Sequence, residues 1–540
     1  MVQYSSDFVY KEAHRLSPPV RQVKLHTHHF RVAMLVRNIS LVLSSAAGFA
    51  HAARALVDLP KFLKETSTSV FPPLKDIAVE VYHDPELGRD EQHAHDLVVE
   101  YFTDVGGWKV TPHAYDMATA WRLVFENRPD GFDGQLPTVG FMAEYDALAG
   151  VGHACGHNHI LLNGLTGASL ASNALAEFDL PGRIIVVGCP DEENAAGKYN
   201  LSITGAFDDA DVWLMAHPTS ASAIQPMNAR LNNFFHFAGE THQDAVRKAY
   251  QAMVIIRGLS GTLPGTSSSV SSIENVGVFA VNVVQSVVTL AVSGSTKERV
   301  NQVVSSLLDE TYPGVNYVLF ADLDGVGINI TGPGGHASET TKGALVLSIE
   351  IFDNLSKEHD ASVAFYLPGN TTSKELDITV DMRTRYTADI PAVAQAVNSA
   401  VGNLATSVSS DLKYPALEVV PWFPETFLSI LNTPDYGLED WIISDFAPAS
   451  SDASWVQGPE LDPVSHELLS AKKAVFHPNY NICGPNEGDS CAFNHEPAFA
   501  EVAGTEFSYT QTEIVARAEA QLAVELIADE RMRDATSILR

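Results

Sequence analysis

Basic residues are scarce in this sequence: 34 Lys and Arg stand against 66 Asp and Glu over 540 residues, a formal net charge of −32. Such a surface repels phosphate backbones and anionic bilayers, which argues against nucleic acid as a partner and against stable membrane association. Cysteine is scarcer still, with 4 residues, too few for a disulfide framework. Long apolar runs are missing, and no stretch reaches the roughly 18 uninterrupted apolar residues of a membrane span. There is no G-x-S-x-G elbow between a strand and a helix, which sets aside the common serine hydrolases. Low-complexity tracts are also absent, and 45% hydrophobic with 19% charged residues is the composition of a globular protein.

What is present fills more than one domain, because single cores stop growing at about 250 to 300 residues. Residues 1–72 read as an N-terminal extension. Within it, Met34 opens MLVRNISLVLSSAAGFAHAARA, where an early Arg, an apolar stretch and A-H-A give residues 34–53 the pattern of a secretory signal. The chain is secreted if translation starts at Met34 or an internal signal is used, and cytoplasmic otherwise. A transit peptide and an ordinary apolar helix are the competing readings. From residue 73, PPLKDIAVEVYHDPELGRDEQHAHDLVVEYF reads as two helices divided at Asp84-Pro85.

Short apolar runs then alternate with helical stretches through residue 227, which predicts an α/β domain with a mainly parallel sheet flanked by helices. In such sheets ligands gather at the carboxyl ends of the strands. Residues 228–417 carry a weak internal repeat, about 228–325 and 326–417. Each copy reads strand, a turn with a histidine (His242, His336), helix, two strands and helix, a ferredoxin-like α+β unit made twice. Residues 418–540 return to loops, including SSDASWV and FHPNYNICG, and end in the amphipathic stretch EIVARAEAQLAVELIADERM. In the same region Cys483 and Cys491 lie close together and form a local disulfide if the chain meets an oxidising compartment.

The chemistry is concentrated in a few short segments. HACGHNH packs His153, Cys155, His157 and His159 together, and a thiolate with imidazoles is a donor set that zinc favours. Of these, Cys155 and His157 read as ligands, whereas capping or core roles suit His153 and His159. After the apolar strand RIIVVG comes CPDEEN, where adjacent glutamates at a strand end point in different directions, so one can bind metal while its neighbour faces the bound water. His217 ends the run DVWLMAHP and His495 lies in NHEP. A lone histidine is more often structural than a ligand, so these two gain weight only from the ensemble. Cys155, His157, Glu193, His217 and His495 together supply donors for two divalent ions, zinc by default, with manganese or cobalt suited to the same donors. Glu192 is the expected general base, passing its proton to the leaving amine, and Asp146 in EYDAL is suited to hold a ligand histidine. An oxyanion donor is also needed, and a histidine of the repeat region can supply it.

These segments resemble, in their usual order, the zinc peptidase family of aminoacylases, carnosinases and glutamate carboxypeptidases, in the amidohydrolase branch of the auxin-conjugate hydrolases. HDPELGRDEQ, AEYDALAGVGHACGHNHI, CPDEENAAGK, GAFDDADVWLMAHP and NHEPAFAEVAGTEF carry the likeness, over residues 75–530. The resemblance implies a zinc-peptidase catalytic domain in two parts, 73–227 and 418–540, with an inserted lid at 228–417. It implies the same five ligands, Glu192 as base and Asp146 as the orienting aspartate, and it places Asp452 and His477 nearby. It further implies hydrolysis of the amide of a small N-acyl amino acid, dipeptide or related conjugate. A metal-binding scaffold or pseudoenzyme of the same fold is the alternative.

Two departures stand out. The family's lid usually occurs once and pairs between subunits, lending a histidine to the partner's site. A duplicated lid is therefore expected to imitate the dimer within a monomer, with His336 of GPGGHAS reaching the site; a homodimer is the alternative, and His242 is the weaker candidate. EENAAGK also lacks the glycine run common in relatives, but it leaves the glutamates in place.

Overall fold

Strands Thr138–Glu144 and Gly182–Cys189 are buried along almost their whole length, the pattern of strands covered on both faces. They lie at the centre of a six-stranded sheet in the order Lys109–Thr111, Trp121–Asn127, Gly182–Cys189, Thr138–Glu144, Val212–Leu214, Ala474–Phe476. The last four are mutually parallel, whereas the first two pair antiparallel. Only Trp121–Asn127 opposes the direction of the other five strands. A short link joins the first two strands, and such a link permits only antiparallel pairing, since parallel neighbours need a long crossover.

The computed structural model describes residues 46–529, except 211, 260–261, 266–268, 276–282, 285, 309–311, 323–324, 334, 337–342, 358–361, 367–373, 412–413, 439, 463 and 485–490. Most of the candidate signal, 34–53, lies outside the described residues. Among those described, no helix is long and apolar enough to cross a membrane.

Helix Ala46–His83 runs through the expected boundary at residue 73, so the extension does not end there. Its middle turns already contribute Leu59 and Leu63, both fully buried, to the main core. Proline inside a helix removes an amide donor. Here Pro72 is exposed and Pro73 partly so, while Phe71 and Leu74 point inward, so carbonyls left without a partner can turn to water. The helix stops at His83 and a second begins at Gln92, as the Asp84-Pro85 break predicts.

Helix His157–Glu177 is inaccessible on nearly every residue through Leu175. The C-terminal helix Glu506–Ala528, expected to be amphipathic, is buried without interruption from Val515 to Val524. Both pack inside a core that also takes Leu59, Leu74, Phe141 and Ile184.

Among the described residues the lid holds, besides a two-stranded sheet of Val283–Val284 with Gly335–His336, two four-stranded sheets. One has the order Ser407–Ser410, Ala229–Ala238, Glu375–Thr384, Ser269–Asn275, antiparallel throughout, with helices His242–Gly258 and Ile390–Val401. The other has the order Asn316–Asp322, Gly325–Thr331, Val287–Ser293, Ser362–Tyr366, also antiparallel, with helices Lys297–Leu307 and Ala344–Ser356. Each is a ferredoxin-like βαββαβ unit with the same strand order. They are not in tandem. The second unit is inserted between the second and third strands of the first, and the expected boundary at residues 325 and 326 falls at a hairpin within the inner sheet. A single apolar cluster spans both units. Tyr250 and Phe352 meet across them with ring centroids 4.1 Å apart, and Arg257 pairs with Glu350 at 2.5 Å. Helix faces rather than sheet edges therefore join the units.

Candidate metal centre

Four parallel strands deliver their following residues to one place. Glu144 ends Thr138–Glu144 and Asp146 follows; Glu192 and Glu193 come after Gly182–Cys189; His217 follows Val212–Leu214; His477 follows Ala474–Phe476. Cys155 and His157 join them through a tight turn. Gly156 between them has φ +78°, and a Cβ there would meet Pro218 Cγ at 2.6 Å. Only glycine suits that turn, which makes His157 the first residue of its helix. His495, itself at φ +73°, is held by its amide donating to the Ala154 carbonyl at 2.7 Å.

All five expected ligands come together, in two groups with one member shared. Potential donor atoms of Cys155, His157 and His217 lie within 4.8 Å of one another, as do those of Cys155, Glu193 and His495. A third such group joins His157, Glu192 and Glu193. Cys155 Sγ lies 3.7 Å from His217 Nε2, and Glu193 Oε1 lies 3.4 Å from His495 Nε2. Asp146 orients two of the candidate ligands: its Oδ1 pairs with His157 Nδ1 at 2.8 Å and its Oδ2 accepts from the Glu193 amide at 2.9 Å. That leaves His157 Nε2 facing inward, buried, without a hydrogen bond, and 3.3 Å from Glu144 Oε2, which is likewise buried without one. Orphaned buried polar atoms are costly. A thiol, imidazoles and carboxylates with such orphans fit two divalent cations.

The charges follow from burial and crowding. Burial pushes the Cys155 thiol well up, with Glu193 adding to the effect. Burial opposes charge on His157, but Cys155, Asp146 and Glu144 outweigh it and hold the imidazole well above its ordinary range. His217 is pushed down to about 3 by burial and by His477, so it is neutral and ready to coordinate. The Glu192 carboxyl is driven well up, first by desolvation, then by the charges of Asp452, Glu193 and Glu144.

The other histidines divide as their contexts suggest. His153 Nε2 bonds the Val81 carbonyl at 3.0 Å, and His159 bonds the Ala503 carbonyl at 2.7 Å and Thr512 at 2.9 Å, both structural roles. His477 is buried with its ring 5.6 Å from that of His217, and neither of its nitrogens makes a hydrogen bond. His242 opens a lid helix whose cap is Thr241. His336 lies in strand Gly335–His336, paired with Val283–Val284; its side chain lies outside what is described. Cys483 and Cys491 are joined as a disulfide, with Cα atoms 6.1 Å apart.

Several residues escaped the sequence reading. Lys198, whose only signal was its place in EENAAGK, is fully buried beside Glu144 and Asp452. Arg230 and Arg383, from neighbouring strands of the outer lid sheet, share Asp381 at 2.7 and 2.8 Å. Arg230 Nη2 is buried without a hydrogen bond, and Arg383 lies within electrostatic reach of Glu192. In sequence these arginines sit among alternating strand residues with nothing to mark them.

No protein-family model matches the chain. It is 38% identical over 152 residues to the human Xaa-Arg dipeptidase, a stretch covering 26% of this chain and 35% of that protein. It is 28% identical over 167 residues to a polypeptide of the Escherichia coli p-aminobenzoyl-glutamate hydrolase, covering 28% of this chain and 33% of the relative. The chain thus spans about a third of the length of the curated relatives it matches. Among solved structures, a dinuclear metal-binding peptidase of the M20 family from Bacillus subtilis aligns over 83% of this chain and 98% of its own, with 13% identity and a TM-score of 0.43. Over the matched stretches the chain is similar to a dipeptidase and to an amide hydrolase.

Proposed function

We propose that the chain is a metal-dependent hydrolase that cleaves the amide bond of a dipeptide or N-acyl amino acid. The observation that carries this reading is the pair of donor groups sharing Cys155, with Glu192 beside them. Cys155, His157 and His217 would hold one divalent ion and Cys155, Glu193 and His495 the other, zinc being the best match to a thiolate and imidazoles. Such ions supply Lewis acidity toward a carbonyl and lower the pKa of water toward about 7. Glu192 takes the proton of the attacking water and delivers it to the leaving amine, a role suited to a carboxyl already raised by its surroundings. Asp146 fixes His157 and Glu193 in orientation.

Recognition of the substrate falls to the lid. Arg230 and Arg383 bring two guanidiniums to one carboxylate, Asp381, and the unbonded Nη2 of Arg230 is a donor left over. A guanidinium within reach of Glu192, that of Arg383, suits a substrate that carries a carboxylate close to its scissile amide. The names of the two relatives, an Xaa-Arg dipeptidase and a p-aminobenzoyl-glutamate hydrolase, describe substrates of that kind.

Two units of identical strand order support a duplicated lid that imitates a dimer within a monomer, with His336 as the oxyanion donor. Light scattering after size exclusion tests the monomer. The Cys483–Cys491 disulfide suits passage through an oxidising compartment and so favours secretion. The activity itself is tested on protein purified without chelators, by metal analysis and a screen of dipeptides and N-acyl amino acids. About two ions per chain and a cleaved amide support the reading; two ions with no amide cleaved refute it.

A further inference from the structure

The side chain of Lys198 is wholly buried, and a buried ammonium is tolerated only when its donors are taken up. Nζ contacts a carboxylate oxygen of Glu144 and lies 2.5 Å from Asp452 Oδ1. The backbone amide of Lys198 also donates to Asp452 Oδ2 at 2.8 Å, so one residue grips both oxygens of the same carboxylate. Asp452 in turn directs its own amide toward Glu192 Oε1, at 3.4 Å. On the far side, Glu144 Oε2 lies 3.3 Å from His157 Nε2. A continuous chain of contacts therefore runs from Glu192 through Asp452, Lys198 and Glu144 to His157.

A counter-charge alone would need only the ammonium. The double grip on Asp452 does more, because it fixes the direction of the Asp452 amide. Glu192 is crowded by the charges of Asp452, Glu193 and Glu144, and these repel it from its position. Among its contacts, the Asp452 amide is a donor that holds the carboxylate in place.

We propose that Lys198 is a positioning residue for catalysis: through Asp452 it holds Glu192 over the reacting centre. The proposal rests on Glu192 acting as the base in the reaction proposed above. Misplacement of a reacting group by about 1 Å costs about 100-fold in rate, so the loss should appear in kcat rather than in KM.

Lys198→Met leaves Glu144 and Asp452 buried without their cation, which by itself can unfold the protein. Lys198→Met/Glu144→Gln removes one charge of each sign and restores the balance. Both variants and the wild type would be measured for metal content, melting temperature, and kcat and KM on a dipeptide the wild type cleaves. The expected double variant melts close to wild type, binds the same metal and keeps its KM, while kcat falls by about 100-fold. Recovery of kcat together with stability would make Lys198 a counter-charge only and overturn the proposal. Loss of metal from the double variant, or failure of both variants to fold, would overturn it by making Lys198 a determinant of the ligand set or of the fold. A wild type that binds two ions and cleaves no amide fails the functional reading instead, and this proposal with it.

Discussion

Asp146 Oδ1 pairs with His157 Nδ1 at 2.8 Å, which fixes the ring so that Nε2 points at the centre. The second oxygen of Asp146 accepts from the backbone of Glu193, so one aspartate sets a ligand in each donor group. Asp146→Asn keeps the shape but loses one of two acceptors. Metal affinity should fall by about 10- to 100-fold, read by competition with a chromophoric chelator, while the melting temperature of the metal-free protein changes little.

Glu192→Gln should retain about two ions per chain by elemental analysis and lose about 100- to 10,000-fold in kcat. A variant with near-normal kcat would remove Glu192 from the proton transfer.

Metal affinity should rise with pH. Cys155 and His157 both hold their protons more tightly than usual in the metal-free protein, and binding must displace them. Each proton released makes affinity climb by up to about tenfold per pH unit. Chelator competition between pH 6 and 8 should therefore show affinity increasing with pH and proton release on titration in weakly buffered solution.

Arg383→Ala should raise KM for a substrate with a free carboxylate by about 10- to 100-fold, the value of a charge-assisted hydrogen bond. The same substrate with its carboxylate amidated should be little affected. Asp381 keeps Arg230 as its partner, so the fold should survive the change.

Glu91 is fully buried, and desolvation together with the charge of Asp146 raises its carboxyl to about 7. A raised pKa means the folded state favours the proton. The stability this gives is complete below the unfolded value and is lost as pH rises through 7. Glu91→Gln should therefore raise the melting temperature at pH 8 relative to wild type, with the gain disappearing by about pH 4.5.

The donor set was readable because its members stand in short runs at the ends of apolar strands: Cys155 with His157, Glu192 with Glu193, His217 closing VWLMAH. Local pattern suffices for residues whose role depends on the strand they follow. Lys198 and Asp452 depend on each other across 254 positions, and no local pattern records such a partnership. The lid failed in the same way. Its strands were recognised one by one, but that Glu375–Thr384 lies between Ala229–Ala238 and Ser269–Asn275 follows from pairing and not from order. The early start of the main core was hidden because the sequence does not reveal that the helix continues through Pro72 and Pro73.

The nesting of the lid also dictates an order of assembly. Ile378 must find Asn275, its register partner, across about a hundred residues, and closing so long a loop is entropically costly until the inner unit has folded and drawn its ends together. The same holds one level out, where Ala474–Phe476 joins Val212–Leu214 only after the whole lid has been passed. Cys155, His157, Glu193 and His217 precede the lid, whereas His495 follows it. The full set of candidate ligands therefore comes together only in a chain that has completed every inner step, and uptake of the proposed ions would be a chemical checkpoint that a half-folded chain does not pass.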